Sequence, residues 1–270
     1  MSTPSDAHPR LGALLEGPAR WHTWQHLAEV GSTNDVALDA LRAGTAPGLV
    51  VTADRQRTGR GRIGRRWQDA PTGGVSLAIS ATVEVAGSRP LGGAVGLVPL
   101  AAGVAVADAL RARGVEVALK WPNDVLAVVD GAERKCVGIL VEHHHLDDRA
   151  VLVIGIGINV DWRGVPRLDE ATAWTSVAEA VHGDVDRFAL LADVLGGLDA
   201  RLRDEGSTLR ERYRRACSTL GREVEVARPD GGVLRGRAVD LATDGALVVE
   251  VAGRRQSVAA GDVHHLRPAT

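Results

Sequence analysis

Cysteine is scarce in this sequence, and neither a strong net charge nor a secretory segment is present. Cys136 and Cys217 are the two cysteines among 270 residues, which argues against a disulfide scaffold and for a reducing compartment. A formal net charge of −2 excludes a molecule that binds polyanions over its whole surface. The first twenty residues include Asp6 and Glu16 and lack an apolar core, so no secretory signal is predicted. We therefore expect a cytoplasmic protein.

Long apolar runs are also rare. One uncharged stretch, residues 91–107, has nearly the length of a membrane-spanning helix. It is rich in alanine and glycine, contains Pro99, and leads directly into Asp108. These features favour a buried helix of a globular domain, which we place at residues 92–112, and no membrane association is expected.

Lysine and asparagine are nearly absent. Of 32 basic residues only Lys120 and Lys135 are lysine, and the asparagines are Asn34, Asn123 and Asn159. Both residue types are normally plentiful on protein surfaces. A chain that avoids them has a reason to keep the few that its chemistry requires, and all five lie in the motifs described below.

The spacing of apolar residues predicts an α+β protein. Residues 32–35 read as a capping box before a helix that stops at Gly44, and residues 75–84 alternate as a strand does. Strands outnumber crossover helices in the first 160 residues, which predicts a mixed or antiparallel sheet with helices on one face. The other predicted elements are strands at 48–53, 115–120, 125–129, 136–142 and 150–160, a polar turn at 143–149, and helices at 174–181, 187–205 and 207–217.

The sequence pattern changes from helix-like to strand-like after Gly221. About fifty residues there contain five short strand-like runs, with turns at 229–232 and 244–245, which predicts a small SH3-like barrel. We expect a poorly ordered extension at 1–20, a main domain at 21–219 and the small domain at 220–270. The five runs are 223–228, 233–239, 246–251, 254–258 and 263–267.

The most informative segment is an arginine- and glycine-rich loop. Residues 59–67 read G-R-G-R-I-G-R-R-W, and six arginines fall within residues 55–66. A polyphosphate would relieve their mutual repulsion through guanidinium contacts, and glycine lets backbone N–H groups approach an anion. The segment therefore predicts a loop that orders over a phosphate-bearing ligand, with residues 55–68 disordered without it.

Three other interpretations of the loop compete. It could be a solvated basic loop, or a nucleic-acid patch, which the net charge and the lack of other aromatic residues nearby disfavour. The glycines also match G-x-G-x-x-G, but a Rossmann turn must open an apolar helix, whereas this segment continues with polar residues and then Pro71.

Three further motifs stand near predicted strands. Residues 120–124 read K-W-P-N-D, which is also a common turn signature. Lys135 opens an apolar strand, where a lysine is costly unless it meets an anion. Two glycines, Gly155 and Gly157, interrupt another strand and indicate either a bulge or a ligand against the backbone. The run at 143–145, H-H-H, could bind metal, but a solvated turn is favoured because consecutive side chains point in different directions.

Together these four segments resemble biotin protein ligases. The G-R-G-R-x-G-R-x-W loop, K-W-P-N-D, K-x-x-G-I-L-V-E and G-x-G-I-N-V occur in this order and at this spacing in that family. The resemblance spans about residues 30–270. It implies a biotin/lipoate ligase catalytic domain related to class II synthetases, followed by the SH3-like domain, in the short form without an N-terminal DNA-binding domain.

The resemblance also implies a role for each matched residue. Lys135 and Arg62 would offset charge during adenylation, and Asp124 would orient or deprotonate the acceptor lysine. No protein side chain is expected to ligate metal directly. The implied biotin contacts are Ser32, Thr33, Asn34, Gln56, Arg60, Gly61, Arg62, Lys135, Gly138 and Gly155. The implied adenylate contacts are Arg60, Arg62, Trp67, Asn123, Lys135, Asn159 and Trp174.

The implied reaction activates biotin with ATP and Mg²⁺ and transfers it to a lysine of a biotin carboxyl carrier domain of an acyl-CoA carboxylase. No DNA partner is expected, and a homodimer is compatible with the sequence. A lipoate ligase is disfavoured because the motifs match the biotin versions. A biotin-responsive repressor needs a DNA-binding domain for which the chain has no room. A nucleotide-sensing module rests on the glycine fingerprint alone.

Overall fold

The computed structural model describes residues 8–70, 73–85, 91, 94–166, 173–228, 231–259 and 261–266. The strands of its larger sheet are β1 (Thr23–Val30), β2 (Leu49–Gln56), β3 (Ser76–Glu84), β4 (Val117–Lys120), β5 (Asp124–Val129), β6 (Ala132–Leu146) and β7 (Arg149–Asn159). The helices are α1 (Pro9–Glu16), α2 (Thr33–Arg42), α3 (Val98–Arg111), α4 (Val177–Val181), α5 (Arg187–Leu202) and α6 (Gly206–Ala216).

The seven strands lie in the order β1-β2-β3-β7-β6-β5-β4. β1 and β2 pair in parallel, and every other neighbouring pair is antiparallel. The predicted mixed sheet is therefore confirmed. Its long central strands carry the motif residues of β6 and β7 next to each other.

Helices cover both faces of this sheet, and the prediction of helices on one face alone was wrong. Because side chains alternate along a strand, Val50 faces the main core with α3, α5 and α6. Its neighbours Leu49 and Val51 face a second cluster with Ala37 and Leu41 of α2. Helix α2 is thus alone among the described helices in contributing to that second cluster.

Helix α3 begins at Val98, whereas the helix was predicted to begin at residue 92. Residues 92 and 93 lie outside the described residues. Proline lacks an N–H group and fixes φ, so Pro99 is tolerated in the first turn of a helix and not in its interior. Among the described helices, none is long and apolar enough to cross a membrane.

The predicted turn at 143–149 is mostly strand. β6 continues to Leu146 and pairs with β7 up to Arg149, so only residues 147 and 148 turn. His143 and His145 consequently share one face, with ring centroids 4.8 Å apart. The predicted turn was wrong for these histidines because cross-strand pairing extends the strand through them, whereas the predicted exposure of His143 and His145 to solvent is confirmed.

A helix lies within the predicted N-terminal extension. Residues 9–16 form α1, whose Leu11 is fully buried and whose Arg10 pairs with Asp193 of α5. The apolar side of this helix packs on the main core. Residues 1–7 lie outside the described residues.

The C-terminal strands form a five-stranded antiparallel sheet in the order β11-β10-β9-β8-β12, consistent with the predicted SH3-like domain. The change from helix to strand falls between Ala216 and Glu223. Part of the predicted turn at 229–232 and residue 267 lie outside the described residues. The strands are β8 (Glu223–Ala227), β9 (Val233–Leu241), β10 (Leu247–Val251), β11 (Arg254–Val258) and β12 (Asp262–His265).

Candidate active site

A cleft with a volume of about 120 Å³ opens on the face of the sheet that α2 covers. Its walls come from the N-terminus of α2, the arginine-rich loop and the middle of β6 and β7. Thirteen of the residues predicted for the site line it together. They are Ser32, Thr33, Asn34, Gln56, Arg60, Gly61, Arg62, Trp67, Asn123, Asp124, Lys135, Gly138 and Gly155.

One end of the cleft is a buried polar network around the first turn of α2. Gln56 Oε1 accepts hydrogen bonds from the backbone N and the hydroxyl of Thr33, at 2.9 and 3.1 Å. Ser80 Oγ lies 2.5 Å from Asn34 Oδ1 and 2.8 Å from Thr33 Oγ1. The network therefore fixes both polar side chains of α2 before any ligand arrives.

The predicted capping box at 32–35 was wrong. Ser32 occupies the N-cap position, but its side chain makes no capping hydrogen bond. The N–H group of Thr33 has no partner within the helix and donates to Gln56 instead. The hydroxyl of Ser32, which is 3% exposed, is left to line the cleft.

Two carboxylates hold Arg60 at the mouth of the cleft. Its guanidinium lies 2.5 Å from Asp35 Oδ1 and 3.0 Å from Glu142 Oε2. Glu142 Oε2 also accepts a 2.6 Å hydrogen bond from Asn34 Nδ2. The hydrogen bond with Asp35 is the largest cause that raises the pKa of Arg60. This arginine therefore ties the loop to α2 and β6 and is already neutralised by two acids.

The arginine-rich loop is a small hairpin, and the disorder of residues 55–68 without a ligand stays a prediction. Arg60 bridges to Arg66, and the N–H of Gly61 donates to the carbonyl of Arg65 at 2.7 Å. Ile63 and Gly64 form the tip with φ of 54° and 70°, as the two central residues of a type I′ turn require. These backbone bonds order the loop despite its charge.

Asp69 anchors the far end of this hairpin. Its carboxylate accepts hydrogen bonds from the backbone N of Gln56 and of Ala70, both at 3.1 Å. Burial raises the pKa of Asp69. The anchor fixes where the loop rejoins the sheet.

Trp67 lies flat on a pair of glycines. Gly138 of β6 pairs with Gly157 of β7, and a Cβ atom built there would come within 2.9 Å and 2.7 Å of the indole ring. Only glycine leaves room for the ring. The indole Nε1 is buried and lacks a hydrogen-bond partner among the described residues. Gly138 lines the cleft and supports Trp67, and its contact with biotin stays a prediction.

Lys135 and Asp124 form an ion pair at the other end of the cleft. Lys135 Nζ lies 2.7 Å from Asp124 Oδ1, with side chains that are 32% and 19% exposed. Asn123 Nδ2 donates to the carbonyl of Ile139 at 3.0 Å, which holds the K-W-P-N-D segment against β6. The pair places one cation and one carboxylate in the same cleft as the α2 network.

Comparisons with known proteins match this arrangement. The Biotin/lipoate A/B protein ligase family model matches residues 28–159, and the Biotin protein ligase C terminal domain model matches residues 219–266. The biotin--[acetyl-CoA-carboxylase] ligase of Mycobacterium tuberculosis is 34% identical over 98% of this chain and 97% of its own length. The chain belongs to the biotin protein ligase family. The bifunctional ligase/repressor of Bacillus spizizenii is 30% identical over 96% of this chain and 78% of its own length.

A solved structure of the same family extends the likeness to the fold. The biotin protein ligase from Aquifex aeolicus, determined in complex with biotin and ATP, is 26% identical and aligns with a TM-score of 0.74. The alignment covers 92% of this chain and all of that one.

Two residues expected to contact the adenylate do not line the cleft. Asn159 donates through Nδ2 to the carbonyl of Thr175 at 3.1 Å, and so joins β7 to the segment that precedes α4. Trp174 packs edge-on against Trp162, with ring centroids 4.8 Å apart. The backbone of Trp174 bridges to that of Lys135. For both residues, contact with the adenylate stays a prediction.

Sequence reasoning missed four residues of the site, namely Asp35, Ser80, Glu142 and Gly157. Glu142 and Gly157 stood inside the quoted motifs without a role. Ser80 stood on the polar side of the predicted strand at 75–84. The signal for Gly157 was present, because its alternation with Gly155 indicated close approach to the backbone.

Proposed function

We propose that this chain condenses biotin with ATP to biotinyl-AMP and then transfers the biotinyl group to a lysine of a biotin carboxyl carrier domain. The observation that carries the proposal is one cleft that unites a fixed polar network, an arginine hairpin and a lysine–aspartate pair. The neutral ring of biotin suits the first feature, and its carboxylate and the phosphates suit the other two.

The α2 network would bind the ureido ring. Each buried polar atom of that ring must find a partner, because an unpaired one costs about 1–3 kcal/mol. Ser32, Thr33, Asn34 and Gln56 supply donors and acceptors within one wall of the cleft. Hydrogen bonds with one another, with Ser80 and with Glu142 hold the side chains of Thr33, Asn34 and Gln56 in place, so little ordering of these three is left for the moment of binding.

The hairpin and Lys135 would serve the adenylation step. A carboxylate oxygen of biotin forms a bond to the α-phosphorus of ATP, and the bond from that phosphorus to the bridging oxygen breaks as pyrophosphate leaves. Two anions must approach each other, so cations that face the reacting atoms lower the barrier. Arg62 and Lys135 line the cleft for this role, whereas Arg60 is held by its two acids and would mainly keep the hairpin closed.

The nucleotide would bring Mg²⁺ with it. Mg²⁺ keeps several waters and binds phosphates together with one or two carboxylates. Asp124 is already paired with Lys135, so the phosphates and water would hold the ion without a direct protein ligand. The ion would neutralise charge on the departing pyrophosphate.

Asp124 would act in the second step. The acceptor lysine attacks the acyl carbon as a neutral amine, so it must lose a proton and lie in line with that carbon. Asp124 is the carboxylate beside Lys135 in the cleft, and it can accept a hydrogen bond from the incoming amine. AMP then leaves with the electron pair of the broken acyl–phosphate bond.

We also propose that the protein works in the cytoplasm. Cys136 and Cys217 are free and buried, and burial raises the pKa of Cys136 to about 12, which keeps it an inert thiol. This suits a reducing compartment. A homodimer stays a prediction.

The test is incubation with radiolabelled biotin, ATP and Mg²⁺, followed by a purified biotin carboxyl carrier domain. Labelled acyl-adenylate should form first, and label should move to the carrier domain on its addition. A parallel incubation with lipoate should give no adenylate. Adenylate from lipoate and none from biotin would overturn the assignment.

A further inference from the structure

Trp121 of the K-W-P-N-D segment makes two hydrogen bonds to the C-terminal part of the chain. The backbone N of Trp121 donates to Thr219 Oγ1 at 3.0 Å, and its indole Nε1 donates to the carbonyl of Gly245 at 2.9 Å. Trp121 is 1% exposed. Both N–H groups of this buried residue are therefore satisfied from the C-terminal part of the chain.

Thr219 is in turn fixed by a histidine of the last described strand. Arg222 Nη1 lies 2.9 Å from His265 Nδ1, and His265 Nε2 lies 3.1 Å from Thr219 Oγ1. A guanidinium only donates hydrogen bonds, so Nδ1 must accept and the ring proton must sit on Nε2, facing Thr219. Burial, followed by the charges of Lys120 and Arg222, lowers the pKa of His265 to about 4, which keeps the ring neutral at pH 7.

The chain of contacts returns to the catalytic strand. Arg222 makes a two-pronged pair with Glu133 of β6, at 2.7 and 3.0 Å. Glu133 precedes Lys135 by two residues, and Trp121 precedes Asp124 by three. The contacts from Glu133 through Arg222, His265 and Thr219 to Trp121 thus link the backbone on both sides of the ion pair.

We propose that Thr219 and His265 are positioning residues that hold the Trp121–Asp124 segment so that Asp124 stays beside Lys135. The proposal rests on the proposed function, since it assigns these contacts to the same reacting site. The segment between β4 and β5 is three residues long, ends at Asn123 and leads directly into Asp124, the first residue of β5. Misplacement of a catalytic group by about 1 Å can cost up to 10²-fold in rate, so a clamp at this point serves catalysis beyond folding.

The variant Thr219→Val tests the proposal in the full chain. It removes the hydroxyl that accepts from Trp121 and His265 while keeping the shape of the side chain. The rate constant for biotinyl-AMP formation in a single turnover should fall about tenfold. The KM for biotin should stay within about twofold, since the α2 network is untouched. Thr219→Ser should restore the rate.

A matched control separates positioning from general destabilisation. Thr82 is equally buried, and its hydroxyl accepts from the backbone N of Gly48 and Leu49 at 3.1 and 3.0 Å, far from the ion pair. Thr82→Val should lower the melting temperature as Thr219→Val does and leave the rate constant unchanged. Active-site titration with biotin should show a full complement of working sites in each variant.

A second pair of variants covers the case in which Thr219→Val fails to fold. His265→Leu should slow adenylation, and His265→Gln, which retains a donor toward Thr219, should recover most of the rate. Equal single-turnover rates for wild type, Thr219→Val and His265→Leu would overturn the proposal. If the wild type itself formed no biotinyl-AMP, the proposed function would fail instead, and the two failures are thereby distinguished.

Discussion

Gly155 has almost no room for a side chain, and the atoms it would meet belong to the proposed biotin site. A Cβ atom there would lie 2.6 Å from Oδ1 and 3.0 Å from Nδ2 of Asn34. Since nonbonded atoms settle near about 3.5 Å, the amide must retreat by roughly 0.5–1 Å. That shift breaks its 2.6 Å bond to Glu142 and its 2.5 Å bond to Ser80.

Gly155→Ala should therefore weaken biotin binding. A buried polar atom of biotin left without its partner costs about 1–3 kcal/mol, which is roughly a 5- to 150-fold rise in Kd. Titration calorimetry with biotin measures this directly. Gly103→Ala is the matched control, because a methyl group there meets only ordinary contacts at 3.6 Å and beyond. An unchanged Kd in a folded Gly155→Ala protein would refute the assignment of this wall to biotin.

The companion variant separates the two ends of the cleft. In Gly157→Ala the new methyl group would meet the Trp67 ring at 2.7 Å and not Asn34. The KM for ATP should rise more than the Kd for biotin, because Trp67 is the predicted nucleotide contact. Equal effects of both glycine variants on biotin would contradict that division.

Three further predictions follow from individual side chains. Lys135→Ala should lower the adenylation rate by roughly 10²–10³-fold, because the cation that faces the two reacting anions is lost. The side chains of Lys135 and Asp124 are both partly exposed, so the variant should still fold. Single-turnover kinetics together with a thermal melt checks this. Ile63 has a positive φ at the hairpin tip, which costs a residue with a Cβ atom about 1 kcal/mol. Ile63→Gly should remove this strain and raise the amide-exchange protection of the hairpin about fivefold. Unchanged protection would argue against strain. The pKa of His265 is about 4 in the folded chain and 6.5 in the unfolded chain, so the unfolded chain binds a proton at a higher pH. The free energy of unfolding should therefore fall as the pH drops from about 6.5 to 4. His265→Gln should flatten this part of the curve of stability against pH.

Local patterns predicted much of the fold because strands and turns leave short-range signals. The alternation at 75–84 and the glycine-bearing turns after residue 221 correspond to β3 and to the C-terminal strands. Local composition misled where pairing at a distance decided the outcome. His143 and His145 look like a polar turn, but the hydrogen bonds of β7 extend β6 through them.

The site was predicted as a set of residues rather than as a geometry. Lys135 and Asp124 stood out through rarity and motif, whereas their 2.7 Å contact depends on the pairing of β5 with β6. Asn34 and Glu142 are 108 positions apart, and nothing local signals their contact. The hydrogen bond from Asn159 to the backbone of Thr175 is likewise a long-range contact that the rarity of asparagine does not reveal.

The packing of Trp67 is a second feature that local sequence patterns do not predict. This tryptophan ends the arginine-rich segment, and the surface on which its ring packs forms only where Gly138 and Gly157 pair across two strands. Each glycine alone is compatible with a bulge. Only the assembled sheet shows that both are needed for the same ring.

Exchange of radiolabelled pyrophosphate into ATP tests most directly whether biotin and nucleotide react together in this cleft. The exchange should require biotin and Mg²⁺, should proceed without any carrier domain, and should be nearly abolished in Lys135→Ala. Exchange that runs at the same rate with and without biotin would contradict a shared site for the two substrates.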